Sequence, residues 1–197
     1  MGSEMCIRDR YIAVLTKFFI FILSLATAQA FASETLSDKL AKVHTQITID
    51  YSNIKHLSAE QFMQFDAQSV ALFDVREDKE YQVSHIANAI RIDPNLPAER
   101  FLTTYANLVK GKTVVFYCSV GRRSSEFVAE LNKLDSAGIP SESYNLTGGI
   151  FHWHNQQYPL MKSQLLTSPV STDLVHPYNF FWSRLLENKA LISYRDN

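Results

Sequence analysis

Residues 113–125 read TVVFYCSVGRRSS and contain the clearest local signals in the chain. The first five are β-branched or aromatic, which predicts a buried strand over 113–117. Apolar residues at helical spacing predict a helix over 124–134. Cys118 follows the strand directly, so a cysteine lies where a strand gives way to a short loop and a helix.

The same alternation continues on both sides of this stretch. Strands are also predicted over 54–57, 70–75, 87–92 and 142–146, and helices over 58–65, 77–85, 97–109 and a short aromatic segment around Trp153. Alternating strands and helices imply an α/β domain whose parallel sheet is covered by helices on both faces. Because ligands bind at the carboxyl ends of the strands in such sheets, Cys118 lies where a site is expected.

Length and composition set the class of protein. The chain has 197 residues, of which 46% are hydrophobic and 20% charged, which fits one globular domain with extensions. A formal net charge of −1 and the lack of a Lys or Arg run speak against a nucleic-acid partner.

The N-terminal residues are expected to lie outside the fold. Residues 1–10 are interpreted as a non-native remnant, and residues 11–32 as a signal peptide with Lys17, an apolar core over 18–25 and A-x-A cleavage sites. The apolar run is shorter than the roughly 20 residues that span a bilayer. We therefore expect a periplasmic or secreted protein without stable membrane insertion after cleavage.

The cysteine content directs attention to Cys118. Cys6 falls in the discarded segment, so the mature chain would hold one thiol and no internal disulfide. The unpaired N–H groups of a helix N-terminus, the adaptable backbone of Gly121 and the charges of Arg122 and Arg123 favour the reactive thiolate. The alternative, an inert buried thiol, has no need of a glycine and two arginines beside it.

These residues resemble a known family. The loop Cys118-x-x-Gly121-x-Arg123 is similar to the active-site loop of rhodanese-type sulfurtransferases, and the likeness extends from about residue 57 to 160. The family's other signatures are matched by ALFDVR at 71–76, by EYxxSHIxxA at 80–89, with Ser84 where a Gly is usual, and by GGIxxW at 148–153.

The resemblance implies a rhodanese-like domain, assigned to residues 54–160, with a central five-stranded parallel sheet. It implies that Cys118 takes a sulfane sulfur from a donor such as thiosulfate, holds it as a persulfide and passes it to cyanide or a thiol, including a protein thiol. The backbone N–H groups of the loop are implied to hold the persulfide anion, and the residues assigned to binding the sulfur and its donor are Ser119, Val120, Gly121, Arg122, Arg123 and Ser124. Of these, Arg123 is expected to neutralise the persulfide and Arg122 to attract the donor's sulfonate.

Further residues are given structural roles. Asp74 and Arg76 are interpreted as a structural charge pair near the loop. No cofactor is expected. No metal is expected either, because His152 and His154 have i, i+2 spacing, which points their rings apart on a helix.

Two alternatives to a sulfurtransferase remain. A phosphatase or arsenate reductase of related fold uses a C-x5-R loop, which would require an arginine at position 124, where this chain has Ser124. A non-catalytic sulfur-carrier or redox-sensing module would keep the fold without turnover, and only an assay with thiosulfate separates it from an enzyme.

The C-terminal extension comprises residues 161–197. An amphipathic helix docked on the domain is predicted over 178–186, with His176-Pro177 at its start because proline is favoured in the first helical turn.

Overall fold

The computed structural model describes residues 35–134, 140–163 and 168–195. The chain divides into two compact units, Met1–Thr35 and Leu36–Asn197, and the fold concerns the second. The predicted remnant and signal peptide, residues 1–32, lie outside the described residues. Over the described ranges, no helix has the length and apolar character needed to cross a membrane.

A five-stranded parallel sheet forms the centre of the unit. Its strands are β1 (Lys55–Leu57), β2 (Val70–Asp74), β4 (Ile90–Arg91), β5 (Thr113–Tyr117) and β6 (Glu142–Leu146), in the order β1-β6-β5-β2-β4. All pairs are parallel, which confirms the predicted sheet. Strand β5 is central, between β2 and β6, so its carboxyl end lies in the middle of that edge of the sheet.

Helices follow most of the strands. They are α1 (Leu36–Asp50), α2 (Ala59–Phe62), α3 (Asp78–Val83), α4 (Ala98–Val109), α5 (Arg122–Asn132) and α6 (Gly149–Asn155). The predicted capping box at the start of α2 is present, with Ser58 and Gln61 bonded to each other's backbone N–H groups. Helix α1 lies outside the elements predicted from the sequence, and α5 begins two residues before the predicted position 124.

The two faces of the sheet carry separate cores. Along β5, Val114, Phe116 and Cys118 point into a core with α4 and α5, whereas Val115 and Tyr117 point into a core with α1 and α6. Helices therefore cover both faces, as predicted. The strand alternation continues through Cys118, which leaves its side chain buried, with 1% of its surface exposed.

A small second sheet and the C-terminal segment complete the unit. Strands β3 (His85–Ile86), β7 (Leu160–Lys162) and β8 (Val170–Thr172) pair antiparallel, and the predicted strand over 87–92 is reduced to β4. The C-terminal helix α7 (Phe180–Ser183) is shorter than predicted, and a 3-10 helix follows at Lys189–Leu191.

The predicted start of the C-terminal helix is wrong. Asn179, and not His176-Pro177, caps α7, because its side chain accepts the Trp182 N–H. Tyr178 has a φ of +63°, outside the range of a right-handed helix, so a helix cannot run through it.

Candidate active site

The loop after β5 curls back on its cysteine. The Gly121 N–H donates a hydrogen bond to Cys118 Sγ at 3.2 Å. Gly121 has a φ of +99°, a left-handed conformation that glycine adopts without steric cost, and its carbonyl accepts the N–H and hydroxyl of Ser125. A backbone donor aimed at sulfur stabilises negative charge on that atom.

The first turn of α5 carries two positive charges. Arg122 and Arg123 lie at the helix N-terminus, where the macrodipole favours acidic residues. Each has an acidic partner: Arg122 Nη1 lies 3.1 Å from Asp50 of α1, and Arg123 Nη2 lies 3.0 Å from Glu80 of α3. The Arg122–Asp50 pair is largely exposed and contributes little to stability, whereas Glu80 is fully buried.

Glu80 organises the inner side of the loop. Both of its carboxylate oxygens accept from Arg123, and Oε1 also accepts the Ser119 hydroxyl at 2.9 Å. Burial of Glu80 opposes its ionisation, but Arg123 and Arg76 lower its pKa below the ordinary value. Burial likewise opposes the charge of Arg123, while Cys118 and Glu80 raise the pKa of that guanidinium. Arg123 is therefore held beside the cysteine as a cation.

The predicted pair of Asp74 and Arg76 lies one layer deeper. The two side chains are fully buried, with Arg76 Nη2 2.6 Å from Asp74 Oδ2. Arg76 Nη2 also donates to the Ser84 carbonyl at 2.7 Å, which ties α3 to the end of β2. Ser84 has a φ of −168°, extended backbone that any residue adopts, so the absence of the usual glycine there costs no backbone strain.

Helix α6 supports the loop from the other side. The N–H groups of Ile150 and Phe151 donate to the carbonyls of Cys118 and Ser119 at 2.9 and 3.0 Å. The approach is possible because Gly149 has no side chain: a Cβ there would lie 2.1 Å from the Cys118 carbonyl oxygen. The C-terminal signature GGIxxW thus supports the loop at Cys118 by packing against its backbone.

A pocket of about 210 Å³ opens beside the cysteine. Its walls are formed by the loop and by the C-terminal segment: Cys118, Ser119, Val120, Arg122, Arg123, Tyr178 and Trp182. A larger cleft of about 400 Å³ lies around Leu160 and Asn188, but Cys118 does not line it. The predicted reactive cysteine, and not the volume, singles out the smaller pocket as the candidate site.

The structure brings most of the sequence-predicted residues together. Cys118, Arg122 and Arg123 line the pocket with Ser119 and Val120, and Gly121 caps α5 behind them. The Ser124 side chain does not line the pocket: it is fully buried, and its hydroxyl donates to Asn145 Oδ1 at 2.6 Å, so any part of Ser124 in binding falls to its backbone N–H.

Other residues of the site were missed by the sequence analysis. Glu80 stands in the quoted signature EYxxSHIxxA, and an acidic residue there is a signal for a partner to a loop arginine. Asp50, Tyr178 and Trp182 carry no local signal, because their roles arise only when distant segments meet.

His152 and His154 take structural positions. The His152 ring packs edge-on against His44 at 5.7 Å, and His154 Nε2 lies 3.1 Å from the Asp173 carbonyl oxygen. No group of three or more potential ligand side chains forms a metal site in the part of the chain that the structure describes.

A model of the rhodanese-like domain matches residues 58–156, just over half of the chain. The chain belongs to the rhodanese-like domain family. The rhodanese-type resemblance carried by the loop at Cys118 and its flanking signatures is thereby confirmed.

Curated relatives of this rhodanese-like chain have differing names. It is 32% identical to an uncharacterised protein of Synechocystis sp. over 57% of its own length and 56% of that protein. It is 36% identical to the probable adenylyltransferase/sulfurtransferase MoeZ of Mycobacterium tuberculosis, over 48% and 22% of the two chains. It is 28% identical to a tRNA uridine(34) hydroxylase of Aster yellows witches'-broom phytoplasma, over 68% and 44%. The match thus spans about half or less of each relative.

One solved structure supports the fold, and a second is similar to part of the chain at a lower TM-score. The thiosulfate sulfurtransferase of Pseudomonas aeruginosa matches 62% of this chain and 22% of its own, with a TM-score of 0.50 and 23% identity. A rhodanese-related protein of Thermoplasma volcanium matches 54% of this chain and 96% of its own, with a TM-score of 0.43 and 24% identity.

Proposed function

We propose that this rhodanese-like protein is an exported sulfurtransferase that moves a sulfane sulfur from thiosulfate, or a donor like it, to cyanide or a thiol. The observation that carries the proposal is the loop geometry: a thiol at the carboxyl end of the central strand accepts a backbone N–H at 3.2 Å and shares its pocket with Arg123. This arrangement stabilises an anionic sulfur. Cys118 is a thiolate both when it attacks the donor and when the acceptor displaces it.

The chemistry needs no oxidant or cofactor. The Cys118 thiolate attacks the outer sulfur of thiosulfate, a sulfur–sulfur bond forms at Sγ, and the original sulfur–sulfur bond breaks with its electron pair leaving on sulfite. An acceptor thiolate or cyanide then attacks the outer sulfur of the persulfide. That step releases the Cys118 thiolate and yields a new persulfide or thiocyanate, so atoms and electrons balance.

Charge in the pocket supports this assignment. The Gly121 N–H and the cationic Arg123 lie beside the sulfur, and Arg122 adds a second positive charge at the exposed rim. Because Arg122 is half exposed and its pair with Asp50 is weak, it can exchange that carboxylate for the sulfonate end of a donor. The two arginines thus have different roles: Arg123 stabilises the bound sulfur, and Arg122 attracts the anionic donor.

The loop register argues against a phosphatase. Arg123 follows Cys118 by five positions, one fewer than the C-x5-R register, and Ser124 is turned into the core against Asn145. We therefore expect negligible hydrolysis of aryl phosphates.

The test is intact-mass spectrometry of the purified protein before and after thiosulfate. We expect a gain of one sulfur, its loss to cyanide with formation of thiocyanate, and the absence of both in Cys118→Ser. Cys6→Ser in the uncleaved full chain is the matched control and should keep both behaviours, because Cys6 precedes the residues of the family match in the sequence. Thiocyanate formation by Cys118→Ser at the parental rate would refute the mechanism, and sulfur loading without turnover would favour the sulfur-carrier alternative.

A further inference from the structure

Part of the cysteine pocket is built by a segment outside the family domain. The rhodanese-like match ends at residue 156, yet Tyr178 and Trp182 line the pocket opposite the catalytic loop. Tyr178 is 42% exposed and Trp182 is partly buried, so each has one face towards the pocket and another towards solvent. The C-terminal extension therefore adds an aromatic wall to a pocket whose cysteine and arginines belong to the family domain.

Tyr178 is held in an unusual conformation to form this wall. Its φ of +63° is rare for a residue with a large side chain and costs about 1–3 kcal/mol. The buried His176 offsets this cost, since its Nδ1 accepts the Tyr178 N–H at 3.0 Å. On the other side, the Arg123 guanidinium lies over the Tyr178 ring at 4.9 Å from its centre. The positive φ of Tyr178 thus accompanies a contact between its ring and Arg123, the arginine beside Cys118.

The wall is fixed to the same helix that supports the loop. Leu185 and Leu186 are buried in the core, and the Asn155 side chain at the end of α6 bonds to the Leu185 carbonyl and the Glu187 N–H. The first turn of α6 binds the carbonyl of Cys118. Both sides of the pocket are therefore held by helix α6, and the width of the pocket is set by the packing of the core.

The resulting space is small. About 210 Å³ lies below the 300–1,000 Å³ typical of sites for drug-sized ligands, and Cys118 is only 1% exposed. A compact anion or a small thiol can reach Sγ through such a pocket, whereas a peptide-sized thiol meets the two aromatic rings. We propose that Tyr178 and Trp182 act as the specificity wall of this enzyme and restrict the sulfur acceptor to small thiols. The acceptor part of this proposal rests on the proposed sulfurtransferase function; the restriction of access to Cys118 does not.

Access is tested first, without any sulfur chemistry. In a Cys6→Ser background, intact mass follows alkylation of Cys118 by iodoacetamide and by a bulky pyrene maleimide. The ratio of the bulky to the small reagent's rate should rise at least about tenfold in Trp182→Ala and in Tyr178→Asn, since hydrophobic walls typically discriminate by about that much. Asparagine is chosen at 178 because it tolerates a positive φ. Circular dichroism checks that each variant is folded.

The matched control is Phe180→Ala. Phe180 belongs to the same short helix but is 79% exposed and does not line the pocket, so the ratio should stay at the parental value. An unchanged ratio in both folded wall variants would overturn the proposal, as would an equal rise in Phe180→Ala, which would mean general loosening of the segment.

Acceptor choice is tested second, after loading with thiosulfate. Sulfur transfer to glutathione relative to cysteine should rise at least about tenfold in the two wall variants. A changed alkylation ratio with no sulfur loading in any protein, the parent included, would refute the proposed function while the wall stands. Loading with an unchanged glutathione-to-cysteine ratio would refute the wall's role in specificity.

Discussion

Gly149 is the point where replacement should disturb the loop at Cys118 most directly. A Cβ at this position would lie 2.1 Å from the Cys118 carbonyl oxygen and 2.9 Å from the backbone of Ser119. The residue also has a φ of +54°, a conformation that costs an L-amino acid about 1–2 kcal/mol. We predict that Gly149→Ala lowers the free energy of unfolding and impairs sulfur loading on Cys118.

The size of the effect follows from what must move. The separation between the new Cβ and the carbonyl oxygen must grow from 2.1 Å to at least 3.4 Å for an ordinary contact, and both neighbours are backbone. That carbonyl also accepts the Ile150 N–H at 2.9 Å, a bond that the movement weakens. Overpacking costs about 1–3 kcal/mol and a weakened buried hydrogen bond about 1 kcal/mol, so with the backbone penalty we expect a loss of about 3–6 kcal/mol.

Gly111→Ala separates the clash from the backbone penalty. Gly111 also has a positive φ, +71°, but a Cβ there meets nothing within 4 Å. Its loss should therefore stay near 1–2 kcal/mol, with normal sulfur loading. Urea denaturation followed by tryptophan fluorescence measures both variants under the same conditions. Equal losses for the two variants would refute the argument, because the contact with the Cys118 carbonyl would then contribute nothing.

The remaining predictions concern the buried acid and the N-terminus. Glu80→Gln should cost about 2–3 kcal/mol in urea denaturation at neutral pH, less than a fully buried pair because the Arg123 side chain is 27% exposed. The pKa of Glu80 is lowered in the fold, so its contribution to stability is complete above the ordinary value of 4.5 and is lost as pH falls through the lowered value. The difference in free energy of unfolding between Glu80→Gln and the parent should therefore narrow below pH 4.5. A difference that stays constant with pH would exclude the charge of Glu80 as the cause. When the chain is expressed in a bacterium, we expect periplasmic protein beginning at Phe31 or Ser33; N-terminal sequencing that still finds Lys17 in a membrane fraction would contradict export.

Local signals were sufficient for the central elements of the fold. Strands β5 and β6 match the predicted ranges, and the capping box at Ser58 marks the start of α2, because β-branched runs and caps act through nearest neighbours. Helix α1 was not predicted from the sequence. Its buried hydrophobic residues are Leu40 and Ile47, and so few buried apolar positions produce only a weak helical periodicity. The C-terminal helix was predicted too long, since Tyr178 is held at a positive φ by its contacts with His176 and Arg123.

The sequence by itself located the cysteine of the candidate site and its immediate surroundings. Cys118 at the end of a strand, Gly121 and two arginines at the head of a helix are adjacent in the chain, so covalent connection alone brings them together. Only the tertiary structure decided what each arginine faces: Glu80 is 43 positions from Arg123, and Asp50 is 72 from Arg122. The same holds for Tyr178 and Trp182, which the buried residues of the C-terminal segment carry to the pocket. Such partners are selected by how the helices and the last segment pack on the sheet, and this packing depends on the summed burial of many side chains, which no short pattern records.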